Sequence, residues 1–243
     1  MCAHDTQSSV MSMTDFQKQV LLLGLLSLLL LQGCSSSSRR DGPQHQATLP
    51  SDRVALRPLT PMTQRIIEVS REELLFWRQS PQPQHRISQY WHAVAPKLAE
   101  KHLPWSAAFV GYVMHRAGVP QQVFPPAGAH WMYLRHIHAA AHHGNESMSL
   151  HGVEAYPPQA GDLICARRDH QHPLDIHSPH FRQQLEGSQL HCDIVTARYP
   201  GYLEVIGGNV SHRVSVRQIA LDRHGYLPVT GEDQWFSVIE NRL

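Results

Sequence analysis

Residues Pro104–Pro120, PWSAAFVGYVMHRAGVP, carry proline at both ends and almost no polar interruption between them. Ala107, Ala108, Phe109, Val110, Tyr112, Val113 and Met114 are apolar on most faces, so the spacing predicts a buried helix over Ser106–Ala117. Gly118 and Pro120 end it. A helix apolar nearly all round belongs at the centre of a domain, and the rest of the chain must cover it. Ser106 falls in its first turn, one residue after Trp105. A hydroxyl there can cap a backbone N–H. It can also use the positive end of the helix dipole, as a nucleophile does.

Upstream the pattern stays helical. Thr60-Pro61 is a cap followed by proline at the first helical position, and Ile66, Ile67, Leu74, Leu75 and Trp77 recur at helical spacing as far as Gln79. Ser80-Pro81-Gln82-Pro83 breaks it. Ile87–Lys101 is a second helical pattern, disturbed at Pro96. Downstream, His130–His143 is a fourth, ended by Gly144. The period then switches to two. Asp162–Arg168, Cys192–Ala197, Tyr202–Ile206, His212–Arg217 and Trp235–Ile239 read as strands, with Gly161, Pro200-Gly201, Gly207-Gly208 and His224-Gly225 between them. Asp169–Leu190 reads as a polar loop insertion. Helices followed by antiparallel strands make an α+β fold, with N-terminal helices packed on an antiparallel sheet.

The front of the chain has a different character. Val20–Leu31 is an unbroken run of apolar and small residues, shorter than the roughly 20 residues that span a bilayer. With Lys18 before it and Leu31-Gln32-Gly33-Cys34 after it, residues 1–33 are expected to be a lipoprotein signal peptide and Cys34 the lipidated residue. Residues 34–57, rich in Ser, Pro and Gln, are expected to form a flexible tether, and 58–243 one folded domain. This places the domain in the cell envelope, facing the periplasm from a membrane anchor. Ser35 after the anchor is compatible with the outer membrane.

Lys and Arg number 21 against 20 Asp and Glu, a formal net charge of +1. No basic block or basic-aromatic stripe argues for a nucleic-acid partner. Of four cysteines, Cys165 and Cys192 remain in the mature domain. In an oxidising compartment they are candidates for a disulfide. The 19 histidines cluster in HWMYLRHIHAAAHHG and DHQHPLDIHSPH. His138 and His142 have the i, i+4 spacing of a zinc pair, yet no carboxylate sits at useful spacing and no H-E-x-x-H is present. We therefore expect neither metal nor cofactor, and read His136, His138, His142 and His143 as a solvated face.

A hydrolytic site needs a nucleophile, a base and a group to orient the base. Ser106 has the helix-start placement, His191 opens a strand, and Asn209 ends the next one after two glycines. Asp193 shares a strand face with His191 and is an alternative orienter. Composition and spacing alone do not select these from the other histidines and serines. The order PWSAAFVGYVMHRAG, AGDLICARR, HCDIV and VIGGNVSHRV resembles the CHAP and NlpC-type papain-like amidases. More closely it resembles the bacterial domain-of-unknown-function family 2272, over about Thr63–Leu243. That resemblance implies a papain-like architecture with Ser106 at the position of the nucleophilic cysteine, His191 as base and Asn209 as orienter. It implies peptidoglycan as partner and makes the strands of Cys165 and Cys192 neighbours. His130, Tyr133 and Trp105 are expected to line the cleft. A serine is harder to activate than a thiol. Ser106 therefore stands as a working nucleophile, as a remnant in a non-catalytic wall-binding or envelope-assembly lipoprotein, or as a cap.

Overall fold

Thr60 opens the first helix as a capping residue should: its Oγ1 accepts from the Thr63 N–H at 3.0 Å, and Pro61 follows at the first helical position. The computed structural model describes residues 54–243 except 100, 102, 142–146, 170, 172–173 and 232. The expected signal peptide, Cys34 and most of the tether lie outside the described residues, as do His142, His143 and Gly144.

Helix α1 is Pro61–Gln79 and α2 is His85–Val94. The second helix stops well short of Lys101, because Pro96 cannot continue the hydrogen-bond ladder and forces Ala95 out of helical geometry (φ −157°). A single 3₁₀ turn, Pro96–Leu98, replaces it. Helix α3, Ser106–Ala117, ends at Gly118, whose φ of +88° directs the Val119 N–H back to the Met114 carbonyl at 3.0 Å. Its small residues let neighbours close in: a methyl group on Gly111 would fall 2.6 Å from the Val94 side chain of α2. Helix α4 covers His130–Ala141.

The sheet has six strands: β1 Met148–His151, β2 Leu163–Arg167, β3 Leu190–Tyr199, β4 Tyr202–Val210, β5 Arg213–Ala220 and β6 Gln234–Asn241. Their order is β1-β6-β2-β3-β4-β5, and every neighbouring pair is antiparallel. The described fold is thus α+β. Two tight turns join β3 to β4 and β4 to β5. The second, Ser211-His212, has positive φ at both residues, the mirror-image turn whose twist suits a hairpin. Two elements differ from the sequence pattern. β1 is a short edge strand in a polar stretch, and a one-and-a-half-turn helix α5, Phe181–Leu185, interrupts the insertion.

Helices α1, α3 and α4 pack on the sheet. The main core between the layers joins Trp77, Trp91, Phe109, Val113 and Tyr133 to Leu163, Ile194, Ile206 and Ile239. A second cluster joins alternate strand positions, Ile164, Val195, Val205 and Val238, with Val153 and Leu227 from loops. Period-two alternation thus feeds two cores from one set of strands. Cys165 and Cys192 stand opposite each other on β2 and β3 and are joined by a disulfide within the main core.

Two buried carboxylates fasten neighbouring segments of the chain. Glu73 of α1 takes both its oxygens to Arg86 of α2 at 3.1 Å and accepts from Tyr90 at 2.7 Å; Tyr90 in turn accepts from Trp77 Nε1 at 2.7 Å. Asp162, at the entry to β2, receives Arg57 at 2.7 Å and the backbone N–H groups of Gln159 and Asn241 at 2.7 and 3.0 Å. A buried charge is tolerated only when it is satisfied this fully.

Candidate functional site

Antiparallel order brings the end of β2, the start of β3, the end of β4 and the start of β6 to one end of the sheet. The first turns of α3 and α4 reach the same end. There a cavity of about 790 Å³ opens, lined among others by Ser106, His130, Arg168, His191, Asn209 and Asp233.

Ser106 does not cap its helix. Trp105 holds the capping position and makes no side-chain cap bond, while the Ser106 hydroxyl is 2.9 Å from His191 Nδ1. His191 Nε2 is 2.8 Å from Asp193 Oδ1. Alternation along β3 places His191 and Asp193 on one face with Cys192 on the other. Cys192 is therefore a core residue joined to Cys165, and the His191 ring and the Asp193 carboxylate lie side by side.

Charge assigns the protons. Burial alone would raise the Asp193 carboxyl; His191 and the Arg217 guanidinium beside it outweigh that and hold it well below the usual carboxylate range. An ionised carboxylate only accepts, so in the neutral ring Nε2 carries the proton and Nδ1 can accept from the Ser106 O–H. The serine-protease template faces Nε2 to the serine and Nδ1 to the aspartate. Here the two nitrogens exchange places and keep the same roles.

Arg217 was not singled out by the sequence. It reaches from β5 over β4 to Asp193 Oδ2 at 2.5 Å, and its other amino group is 3.5 Å from Asp233. Arg217 and Asp193 are 24 residues apart, and no local spacing signals such a pair. Its place in the alternating run His212–Arg217, on the face opposite Val214 and Val216, is the one available hint.

The sequence placed two residues at the cleft that the structure places in the core. Trp105 stacks on Trp77 with ring centroids 5.1 Å apart and is packed against Tyr90. Tyr133 is fully buried, with Phe124 against its ring. Both are large enough that the core gains more from their area than the cleft would. His130 does line the cavity. Its Nδ1 is 2.5 Å from the Tyr133 hydroxyl, and its ring centroid is 5.8 Å from that of His191. Burial, and then the neighbouring His191, holds His130 neutral, well below the ordinary histidine range. Asn209 lines the cavity with φ +58°, beside the bulge of β4, while the group on the His191 ring is Asp193. His138 packs on Phe181, ring centroids 5.0 Å apart. Among the described residues no cluster of three or more His, Cys, Asp or Glu is placed to hold a metal, and no helix is long and apolar enough to cross a membrane.

Fold and site together define an α+β protein with a serine–histidine–aspartate constellation at the mouth of a cavity. The chain belongs to the domain-of-unknown-function family 2272, described as an uncharacterized protein conserved in bacteria, which matches residues 72–240. No curated protein and no solved structure matches it.

Proposed function

We propose that the protein is a hydrolase of amide bonds in peptidoglycan stem peptides, with Ser106 as nucleophile, His191 as base and Asp193 as the group that orients the base. The observation that carries this reading is the continuous chain Ser106–His191–Asp193 at 2.9 and 2.8 Å, bordering an open cavity. Nucleophile-to-base and base-to-orienter contacts within hydrogen-bond reach are what such chemistry requires.

In this reading Ser106 Oγ attacks the amide carbonyl as its proton passes to His191 Nδ1. The imidazolium formed is stabilised by Asp193, and the proton then goes to the leaving amine. Water repeats the sequence on the acyl-serine and frees the acid. The first-turn N–H groups of α3, which no side chain caps, are suited to the developing oxyanion. The choice of substrate rests on the resemblance of the sequence motifs around Ser106 and His191 to those of CHAP and NlpC-type papain-like amidases. It rests too on the lipoprotein-like leader: anchored through Cys34, the domain would face the cell wall from the outer membrane.

The test is release of labelled fragments from peptidoglycan by the purified protein, with Ser106→Ala as control. Release lost in that variant supports the hydrolase. Absence of release above the control removes it, and sacculus binding unchanged by Ser106→Ala would assign the cleft to a wall-binding lipoprotein.

A further inference from the structure

The cavity beside Ser106 is lined by a cation that catalysis by the triad does not use. Arg167 at its rim is paired with Asp169, and Asp233 shares Arg217 with the buried Asp193. Arg168 is different. Its backbone N–H is fixed to the Gln189 carbonyl at 2.8 Å, so its Cα is held at the rim, yet its side chain is exposed and forms no ion pair among the described residues. It is the one cavity-lining cation there of which that is true.

Two further features have the same sign. Gly128, Ala129 and His130, at the amino end of α4, line the wall opposite β3. That end is the positive end of a twelve-residue helix dipole, where first-turn N–H groups have no partner four residues back within the helix. His130, only 5 % exposed, adds a buried polar atom: its Nε2 has no hydrogen-bond partner. The direction of the Tyr133–His130 bond follows from counting unsatisfied groups. If His130 Nδ1–H donated to Tyr133, both the phenol O–H and Nε2 would be orphaned. If the phenol donates to Nδ1, only Nε2–H is left over. Burial keeps the phenol protonated, so the second arrangement is accessible and leaves fewer groups unpaired. The left-over group is then a donor on the ring that borders the cavity. An exposed guanidinium, a helix amino end and an orphaned N–H all ask for an anionic acceptor.

We propose that this cavity takes a substrate bearing a free carboxylate, held by the Arg168 guanidinium at the rim and by the His130 end of α4. This rests on the peptide-hydrolase reading and narrows it: the peptides bound are those whose carboxylate is unblocked. A guanidinium and a carboxylate match as a two-point pair.

The experiment uses the full chain carrying Ser106→Ala, which holds peptide without turnover. Binding is measured by calorimetry for a stem-type tetrapeptide and for the same peptide with each carboxylate amidated in turn and then all together. One amidation is expected to weaken binding about tenfold, the scale of one charge-assisted contact. Adding Arg168→Ala should bring acid and amide to equal affinity, and Arg168→Lys should restore part of the gap. Raised salt should narrow it. Equal affinity for the acid and the fully amidated peptide overturns the proposal. So does a preference that survives Arg168→Ala, or no binding of any peptide at millimolar concentration. Turnover by the unsubstituted chain is followed in parallel. Preference without cleavage keeps carboxylate recognition and removes hydrolysis; cleavage without preference does the reverse.

Discussion

Arg217 meets Asp193 across an intervening strand: β4 lies between them, and Gly207, the β4 residue beside Asp193, has no side chain to block the 2.5 Å bond. Asp193 is fully buried, so without Arg217 its charge would depend on His191 alone. Arg217→Gln is expected to cost on the order of 2 kcal/mol, somewhat below the range for breaking a fully buried pair because Arg217 is partly exposed. Urea unfolding at pH 7 measures it. A loss below about 0.5 kcal/mol would mean the pair contributes no more than a surface contact.

The acid limb of stability carries two signatures. His130 is held neutral in the fold, so an unfolded chain takes up its proton first, and stability falls as pH drops below about 6.5, the ordinary histidine value. Asp193 is depressed in the fold. Its contribution is complete above about pH 4 and is lost as pH falls toward its lower folded value. The urea midpoint followed from pH 7 to pH 3 should therefore decline in two stages. His130→Gln should flatten the first and Arg217→Gln the second. A single decline unaffected by either variant would refute the assignment.

Gly207 is fixed by what surrounds it. A methyl group there would fall 1.8 Å from Asp193 Oδ1 and 3.1 Å from His191 Nε2. Gly207→Ala should displace the ring and carboxylate together, costing about 1–3 kcal/mol in stability and at least a hundredfold in any hydrolytic rate. A variant of full activity would show that the His191–Asp193 contact is not required.

The setting of residue 106 can be read without knowing the substrate. Ser106→Cys places a thiol at an uncapped helix start, 2.9 Å from an imidazole in the parent chain. Its thiolate should be favoured, and alkylation by iodoacetamide at pH 6.5 should run about tenfold faster than for a free cysteine. Adding His191→Ala should remove most of the gain. Reactivity equal to a free thiol would mean that neither the helix end nor His191 acts on this position.

Asp193→Asn separates shape from charge. The amide keeps the volume but no longer requires the proton on Nε2, so the ring can adopt the tautomer that is useless to Ser106. A fall of roughly ten-thousand-fold in hydrolytic rate is expected, with a near-native fold by circular dichroism. A fall of less than tenfold would assign orientation to another group, Asn209 being the one in the same cavity.

Much of the secondary structure was legible because it follows local rules. Thr60-Pro61 and Gly118 mark helix ends by their own chemistry, and the alternation in His212–Arg217 survives as β5. β1 was not legible: four residues at a sheet edge, in a polar stretch, carry too few apolar positions for a period to emerge. Trp105 and Tyr133 misled because large aromatics serve cores and clefts alike, and only their neighbours decide. Ser106 and His191 lie 85 residues apart, so their pairing came from resemblance and not from spacing. Arg217 and the buried Glu73 and Asp162 came from neither. Their partners are set by how strands and helices are laid side by side, which no short window of sequence contains.

The disulfide adds a condition to all of this. Cys192 stands between His191 and Asp193, so the strand carrying both is stapled to β2 at the residue that separates them. Such a bond is made in oxidising compartments and undone in reducing ones. A chain held on the reducing side would carry every residue of the cleft without the fastening that keeps them in register. Integrity of the cleft is thereby coupled to the redox state of its surroundings, which works as a lock on the strand that carries His191 and Asp193.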